Sequence, residues 1–283
     1  MNRLELWTFG AVVFAGAGLL LFERRFPYNK GQPVLRTGFW IDVVLYGFVQ
    51  SYVMGIVIAR LIQALDTHTG FSRLGPVSAW PIGAQLAFFL VIHDLYIYGF
   101  HRLQHATPFL WRVHEAHHSV PQVDWLSGVR SHTLEILINQ TIEFAPIVLL
   151  GAPPAVAALK GTISAIWGMF IHSNLDVRLG KLQWIINGPE MHRWHHATDP
   201  QAYNKNFATK LAIWDWMFGT AFFPSPAVRK ADTYGLDYVQ YPEHFPLDYF
   251  VQQAYAFRPV LDPGSTPDPV EAGAGRREIP AES

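Results

Sequence analysis

The sequence predicts an all-α integral membrane protein. It would be a bundle of about four to five membrane-embedded helices, each near the length that crosses a bilayer, carrying a cytoplasmic, histidine-rich helical cap. Three observations lead there. Half of the residues are hydrophobic and 15% are charged, where soluble domains average roughly 25% charged. Long apolar runs recur through the first 172 residues. Eight of the 13 histidines fall into three tight groups with helical spacing.

Composition also excludes functions. The net charge of −1 gives no basic surface for nucleic acid. There is no cysteine, so disulfides, thiolate metal sites and a cysteine nucleophile are ruled out. Any metal must be held by imidazole, carboxylate or carbonyl groups.

The first apolar run, residues 4–22, is long enough to span the hydrocarbon core. Arg3 is the only basic residue before it, and Glu23, Arg24 and Arg25 follow where a signal peptide would carry a small-residue cleavage site. A retained transmembrane helix is expected. A polar connection, residues 23–37, is broken by Pro27, Gly31 and Pro33. The second run covers residues 39–65, with Asp42 near its start and Arg60 near its end. The third starts near Trp80 and runs to Phe100, carrying His93 and Asp94 in its last third. Ionisable groups inside an apolar helix usually face a polar interior. Runs four and five, residues 134–150 and 155–171, are separated only by residues 151–154. Both are short, which suggests a tight helical hairpin.

Basic residues set an orientation. Arg24, Arg25, Lys30 and Arg36 follow the first run, whereas residues 66–79 hold only Arg73. The positive-inside rule makes the first connection cytoplasmic. Counting crossings then puts the ends of runs three and five, and both histidine clusters, on the cytoplasmic side. Beyond Ile171 no further span is expected. Residues 211–224, with Trp214 and Trp216, read as interfacial packing. Residues 259–283, rich in Pro, Gly, Ala and Glu, read as a disordered tail. The expected division is N-terminal membrane helices (1–79), a histidine-box domain (80–225), a C-terminal cytoplasmic extension (226–258) and the tail (259–283).

The histidine spacings carry the functional argument. His101 and His105 are four apart; His114, His117 and His118 stand at i, i+3 and i+4, and His192, His195 and His196 repeat that pattern. Residues three or four apart share a helix face, so each set aims its imidazoles together. One HxxxH pair is common in ordinary cores. Two HxxHH triplets beside an HxxxH are not, and a pH sensor would have no need to repeat one spacing. Eight imidazoles exceed what one metal accepts and suit two metals in one pocket. His172, at the end of the fifth run, is a further candidate ligand. His132 stands as either a ligand or a supporting residue beside Glu135. His93, Asp94, Glu115 and Asn174 are candidates to support the ligand rings, with Asp94 and Glu115 positioned to orient imidazoles through their second nitrogen. His68 and His244 receive no role.

HRLQH at 101–105, HEAHH at 114–118 and HRWHH at 192–196 resemble the histidine boxes of the fatty acid hydroxylase / sterol desaturase superfamily in order and spacing. The context is similar too: HD at 93–94, HSN at 172–174, and Asn206 and Phe207 followed by WDWMFGT at 214–220. The resemblance covers roughly residues 80–225 and looks most like bacterial sterol desaturase family proteins. It implies a membrane-bound non-haem diiron oxidoreductase of lipid biosynthesis, a monooxygenase-type enzyme. Such an enzyme uses O2 and external electrons to hydroxylate or desaturate a C–H bond of a sterol, fatty acyl chain or related lipid. It carries the iron-ligand role to the eight box histidines, with His172 as a further ligand. Zinc could take the same ligands in a purified sample. Neither an HPGG haem motif nor a GxGxxG fingerprint is present, so a separate ferredoxin, cytochrome or reductase is expected to supply electrons. The alternatives are an ether-lipid or carotenoid monooxygenase on the same scaffold, and a non-catalytic membrane metal-binding protein.

Overall fold

The computed structural model describes residues 3–224, 230–236, 241 and 244–258; the expected tail at 259–283 lies outside the described residues. Helices dominate these residues, joined by loops and two isolated β-bridges. Four helical stretches are long and apolar enough to cross a membrane. They are α1 (Arg3–Arg25), the continuous stretch Ile41–Thr69, α3 (Ile82–Ala106) and α6 (Pro154–His172). At about 1.5 Å per residue even the shortest spans roughly 28 Å. Their outer faces carry exposed large apolar side chains, among them Phe14, Leu21, Phe48, Tyr52 and Ile92. In water such a surface would be a liability; against lipid it is the expected finish. The protein is an integral membrane protein.

The second stretch differs from a plain helix. It opens as a π-helix, Ile41–Gln50, and continues as α2 (Ser51–Thr69). The wider turn coincides with a buried polar face of Asp42, Tyr46 and Gln50. Asp42 bridges Arg36 and Arg130, each at 2.7 Å. Tyr46 reaches Gln252, and Gln50 donates to the Ser131 carbonyl at 3.0 Å. A buried carboxylate between two arginines is stable only when its charge is met in this way.

Runs four and five form the expected hairpin. Helix α5 (Thr133–Leu149), which contains Pro146, turns into α6 through Gly151 at φ 77°. A Cβ there would stand 2.7 Å from Gly75 Cα and 2.8 Å from the Ser72 carbonyl. Only glycine fits, and the hairpin tip thereby docks on the 71–75 turn.

The short helices sit at one end of the bundle. They are α4 (Pro108–His118), α7 (Pro189–His195), α8 (Ile213–Met217) and α9 (Tyr249–Tyr255). Proline opens both α4 and α7, where its fixed φ suits a first turn. Asp248 caps α9 through the amides of Phe250 and Val251. The C-terminal ends of α1, α3 and α6 and the start of the π-helix meet this cap. Glu23, at the end of α1, accepts the backbone N–H groups of Trp125 and Asn174. Gly16 lets α1 approach Trp125 and Met169 closely. Residues 211–224 are more than interfacial packing. Asp215 within them is fully buried and holds a loop under the histidine cluster.

Candidate metal centre

Two groups of histidines converge where the cap meets the membrane helices. His101, His105, His114, His118 and His195 form one group; His117, His172, His192 and His196 form the other. Within each group one ring nitrogen per residue lies within 4.8 Å of every other, an arrangement able to hold a metal ion. All nine are buried or nearly so. The groups adjoin: the rings of His118 and His196 are 4.5 Å apart, centre to centre.

The two HxxHH triplets are divided between the groups. On a helix of 3.6 residues per turn, i and i+4 lie about 40° apart, while i+3 lies about 60° to the other side. Each triplet therefore offers a pair in one direction and a single ring in another. In α4 the pair His114/His118 serves the first group and His117 the second. In α7 the pair His192/His196 serves the second group and His195 the first. His101 and His105 from α3 complete the first group, and His172 from α6 completes the second. Gly128 makes room for that last ring, since a Cβ there would lie 2.7 Å from His172 Nδ1.

The donor chemistry fits metal ions. In the first group the Nε2 atoms of all five histidines are buried with no hydrogen-bond partner. Five orphaned polar atoms in one spot are too costly to leave unfilled. In the second group Nε2 of His172 lies 3.2 Å from that of His117 and 2.9 Å from that of His192, and Nε2 of His196 lies 3.2 Å from that of His192. The Nδ1 atoms of His117 and His172 face the carbonyls of Arg130 and Gly168. A carbonyl only accepts, so both Nδ1 atoms carry the proton and both Nε2 atoms carry lone pairs. Their contact is not a hydrogen bond; a cation between them resolves it. Donors at about 2.0–2.1 Å from one metal stand about 2.9–3.4 Å from each other, from octahedral to tetrahedral arrangement.

Three more of these rings are anchored through Nδ1, whereas Nδ1 of His192 has no hydrogen-bond partner. His101 Nδ1 donates to the Phe207 carbonyl at 2.8 Å and His195 Nδ1 to the Lys205 carbonyl at 2.7 Å. Asn204 and Asn206 flank these carbonyls at φ 57°, a left-handed conformation asparagine tolerates. Asp215 accepts from the amides of Phe207 and Ala208, each at 2.9 Å. His114 Nδ1 donates to Glu135 at 2.9 Å, and Gln104 donates to the same oxygen. Burial pushes the imidazoles of His114, His118, His192, His195 and His196 well below the ordinary histidine range, so they are neutral donors at pH 7.

Other residues singled out from the sequence lie elsewhere. His132 joins neither group: Nδ1 accepts the Leu134 amide to cap α5, and Nε2 meets the Gln253 carbonyl at 2.9 Å. Asp94 touches no imidazole. It accepts from Thr209, Lys210, Leu211 and Trp214, fixing the loop whose Phe207 carbonyl holds His101. Glu115 faces Arg112 at 3.8 Å and bonds Tyr241. Asn174 ties Asn29 in place. His93 lies two turns before His101, beside Lys160. The sequence reading gave no role to Asp215, nor to Glu135 as the partner of His114. Asp215 had a signal: an acid inside an apolar, tryptophan-rich segment must be paired.

A cavity of about 200 Å³ opens beside both groups, lined by His101, His114, His117, His172 and His192 and by residues of α3, α5 and α6 deeper in the bundle. Its membrane-side wall includes His93, Asn139, Ser164 and Trp167.

Comparison with known proteins agrees with this geometry. Residues 86–220 match the fatty acid hydroxylase family model. The ornithine lipid hydroxylase OlsE of Rhizobium tropici is 33% identical over 236 residues, covering 79% of this chain and 70% of that protein. An alkylglycerol monooxygenase of Danio rerio is 37% identical over 127 residues, 45% of this chain and 28% of the relative. Methylsterol monooxygenase 1 of Rattus norvegicus is 30% identical over 132 residues, 46% of this chain and 44% of the relative. No solved structure matches. The matched segment begins in α3, ends at Thr220 and contains all nine clustered histidines together with the loop that anchors them: the chain belongs to the fatty acid hydroxylase family.

Proposed function

We propose that the protein is a diiron lipid hydroxylase acting at the cytoplasmic face of a bacterial inner membrane. One observation carries this reading: nine imidazoles, five of them with Nδ1 held by a carbonyl or carboxylate, converge on two adjoining positions next to a cavity that reaches into the bundle. His101, His105, His114, His118 and His195 would hold one iron; His117, His172, His192 and His196 would hold the other. A pair of irons held there would supply the oxidising power that an unactivated C–H bond requires, with O2 and two electrons from a separate donor.

The protein's own contribution is orientation and exclusion. Backbone carbonyls of Phe207, Arg130, Gly168 and Lys205, with the Glu135 carboxylate, fix five rings and their tautomers. The cap buries the donors from bulk water. The cavity runs toward the membrane helices, which suits a lipid entering from the bilayer. The relatives named above are hydroxylases and monooxygenases, which favours hydroxylation over desaturation. Their named substrates, an ornithine lipid, an alkylglycerol and a methylsterol, all carry a polar group.

Metal analysis with Mössbauer spectroscopy on protein purified with iron is the test. The expected result is about two irons per chain, coupled as a pair, with His117→Ala inactive and still inserted in the membrane. Full lipid oxidation by His117→Ala would overturn the assignment.

A further inference from the structure

The ligand rings and His93 are opposites. Where the anchored ligand rings face a carbonyl or carboxylate with Nδ1, His93 Nδ1 faces the Lys160 ammonium at 3.1 Å. An ammonium has only hydrogens to give, so Nδ1 of His93 accepts and its proton sits on Nε2. The Lys160 position is itself fixed: its Nζ lies 2.5 Å from Glu143 Oε1, which also accepts Ser164 Oγ at 2.9 Å. The Glu143 carboxylate is 3.8 Å from His93 Nδ1, too far to compete. His93 is 8% exposed and its Nε2–H has no partner.

A second donor shares the situation without any tautomer to assign. Trp167 Nε1–H is buried and equally unpartnered. His93 and Trp167 both line the cavity beside the histidine clusters. His93 stands two turns from His101 on α3, an axial offset of about 12 Å. Leaving two N–H groups unpaired costs the fold and serves no packing purpose. A bound molecule that brings acceptor oxygen into this cavity would pair them.

We propose that His93 Nε2–H and Trp167 Nε1–H form a substrate-positioning site that hydrogen-bonds an uncharged acceptor oxygen of the lipid: an ether, ester or amide oxygen. This deepens the proposed hydroxylase reading and rests on it for the fate of the neighbouring C–H bond. Charge selects the neutral oxygen. Lys160 and Glu143 cancel, and Lys210, also on the cavity wall, stands 3.9 Å from Asp94. No unbalanced cation remains among these groups to hold a carboxylate. Size agrees: about 200 Å³ is less than a drug-sized ligand needs, so only the reacting portion of a lipid fits. The oxygen, held on the membrane side of the cavity, would set which carbon along the chain reaches the metals.

The test is equilibrium binding of radiolabelled probes to the full-length, metal-loaded protein in detergent, with no electron donor present. The probes are hexadecyl methyl ether, the hydrocarbon of equal length, and hexadecanoate. Wild type is expected to bind the ether about tenfold tighter than the hydrocarbon. His93→Leu and Trp167→Phe each reduce that preference several-fold and leave hydrocarbon binding unchanged. His93→Gln, which keeps an amide N–H near Nε2, retains most of it. Trp167→Phe keeps an aromatic ring while removing the N–H, so it stands if His93→Leu disturbs the Lys160 pair. Equal binding of ether and hydrocarbon by wild type, including none of either, overturns the proposal. So does preference for hexadecanoate, or loss by both variants for both probes alike. Turnover is a separate readout: a preserved ether preference without O2 consumption when electrons are supplied would defeat the hydroxylase reading and leave this site standing.

Discussion

The triplets of α4 and α7 share one spacing and differ in how they are held. In α4, His114 leans on the Glu135 carboxylate and His117 on the Arg130 carbonyl. In α7, His195 leans on the Lys205 carbonyl, and His192 Nδ1 has no hydrogen-bond partner. A carboxylate raises the basicity of the ring it bonds more than a carbonyl does. The two histidine groups are thus inequivalent as places for a metal. The first has five donors, one backed by a full negative charge. The second has four, all without such backing. Identical sequence motifs do not make identical sites; the partners of the far nitrogens decide.

The largest expected effect comes from splitting the triplets. His195→Ala should remove metal mainly from the first position and His192→Ala mainly from the second, each abolishing lipid oxidation. Metal-to-protein ratios near one rather than about two, with distinct Mössbauer signatures, would check this. Equal depletion of both positions by both variants would show that the division does not hold. Next, Glu135→Gln removes the single charged support. It should weaken metal at the first position by about 10–100-fold and leave the second within a few-fold, measured by competition with a chelator. Third, Asp215→Asn weakens charge-assisted bonds to two amides under His101. A loss of about 1.5–3 kcal/mol in stability is expected, read by thermal unfolding, with His101-dependent metal loss following it. The smallest effect belongs to Asn204: Asn204→Ala should cost about 1–2 kcal/mol through its left-handed backbone, and Asn204→Gly, which relieves the backbone but also loses the bond to His105, should cost less.

The sequence made much of this legible, for reasons that stop at definable points. Apolar runs announce spans because length and hydropathy are local properties, and the HxxHH spacing announces a shared helix face. The π-helix at Ile41–Gln50 was hidden because its hydropathy matches an ordinary span. The division of each triplet was implicit in the helical angle, yet the assignment of pairs to positions depended on how α4 and α7 meet. In the sequence Asp94 is a candidate to orient a ring. It serves instead a loop more than a hundred residues away, which no local pattern encodes. His132 sits near Glu135 in sequence, but the helix start turns its ring toward Gln253 and leaves Glu135 to His114.

The loop at 204–207 also imposes an order of events during synthesis. His101 and His105 emerge from the ribosome about a hundred residues before the carbonyl that fixes His101. The Asp215 clamp on that carbonyl emerges later still. Until then His101 lacks the carbonyl that fixes its ring and tautomer. Metal arriving early would meet a flexible, incomplete set; metal arriving after residue 215 meets a finished one. The arrangement able to hold metal is therefore complete only once residue 215 has been made, and a truncated nascent chain would present histidines without a finished centre.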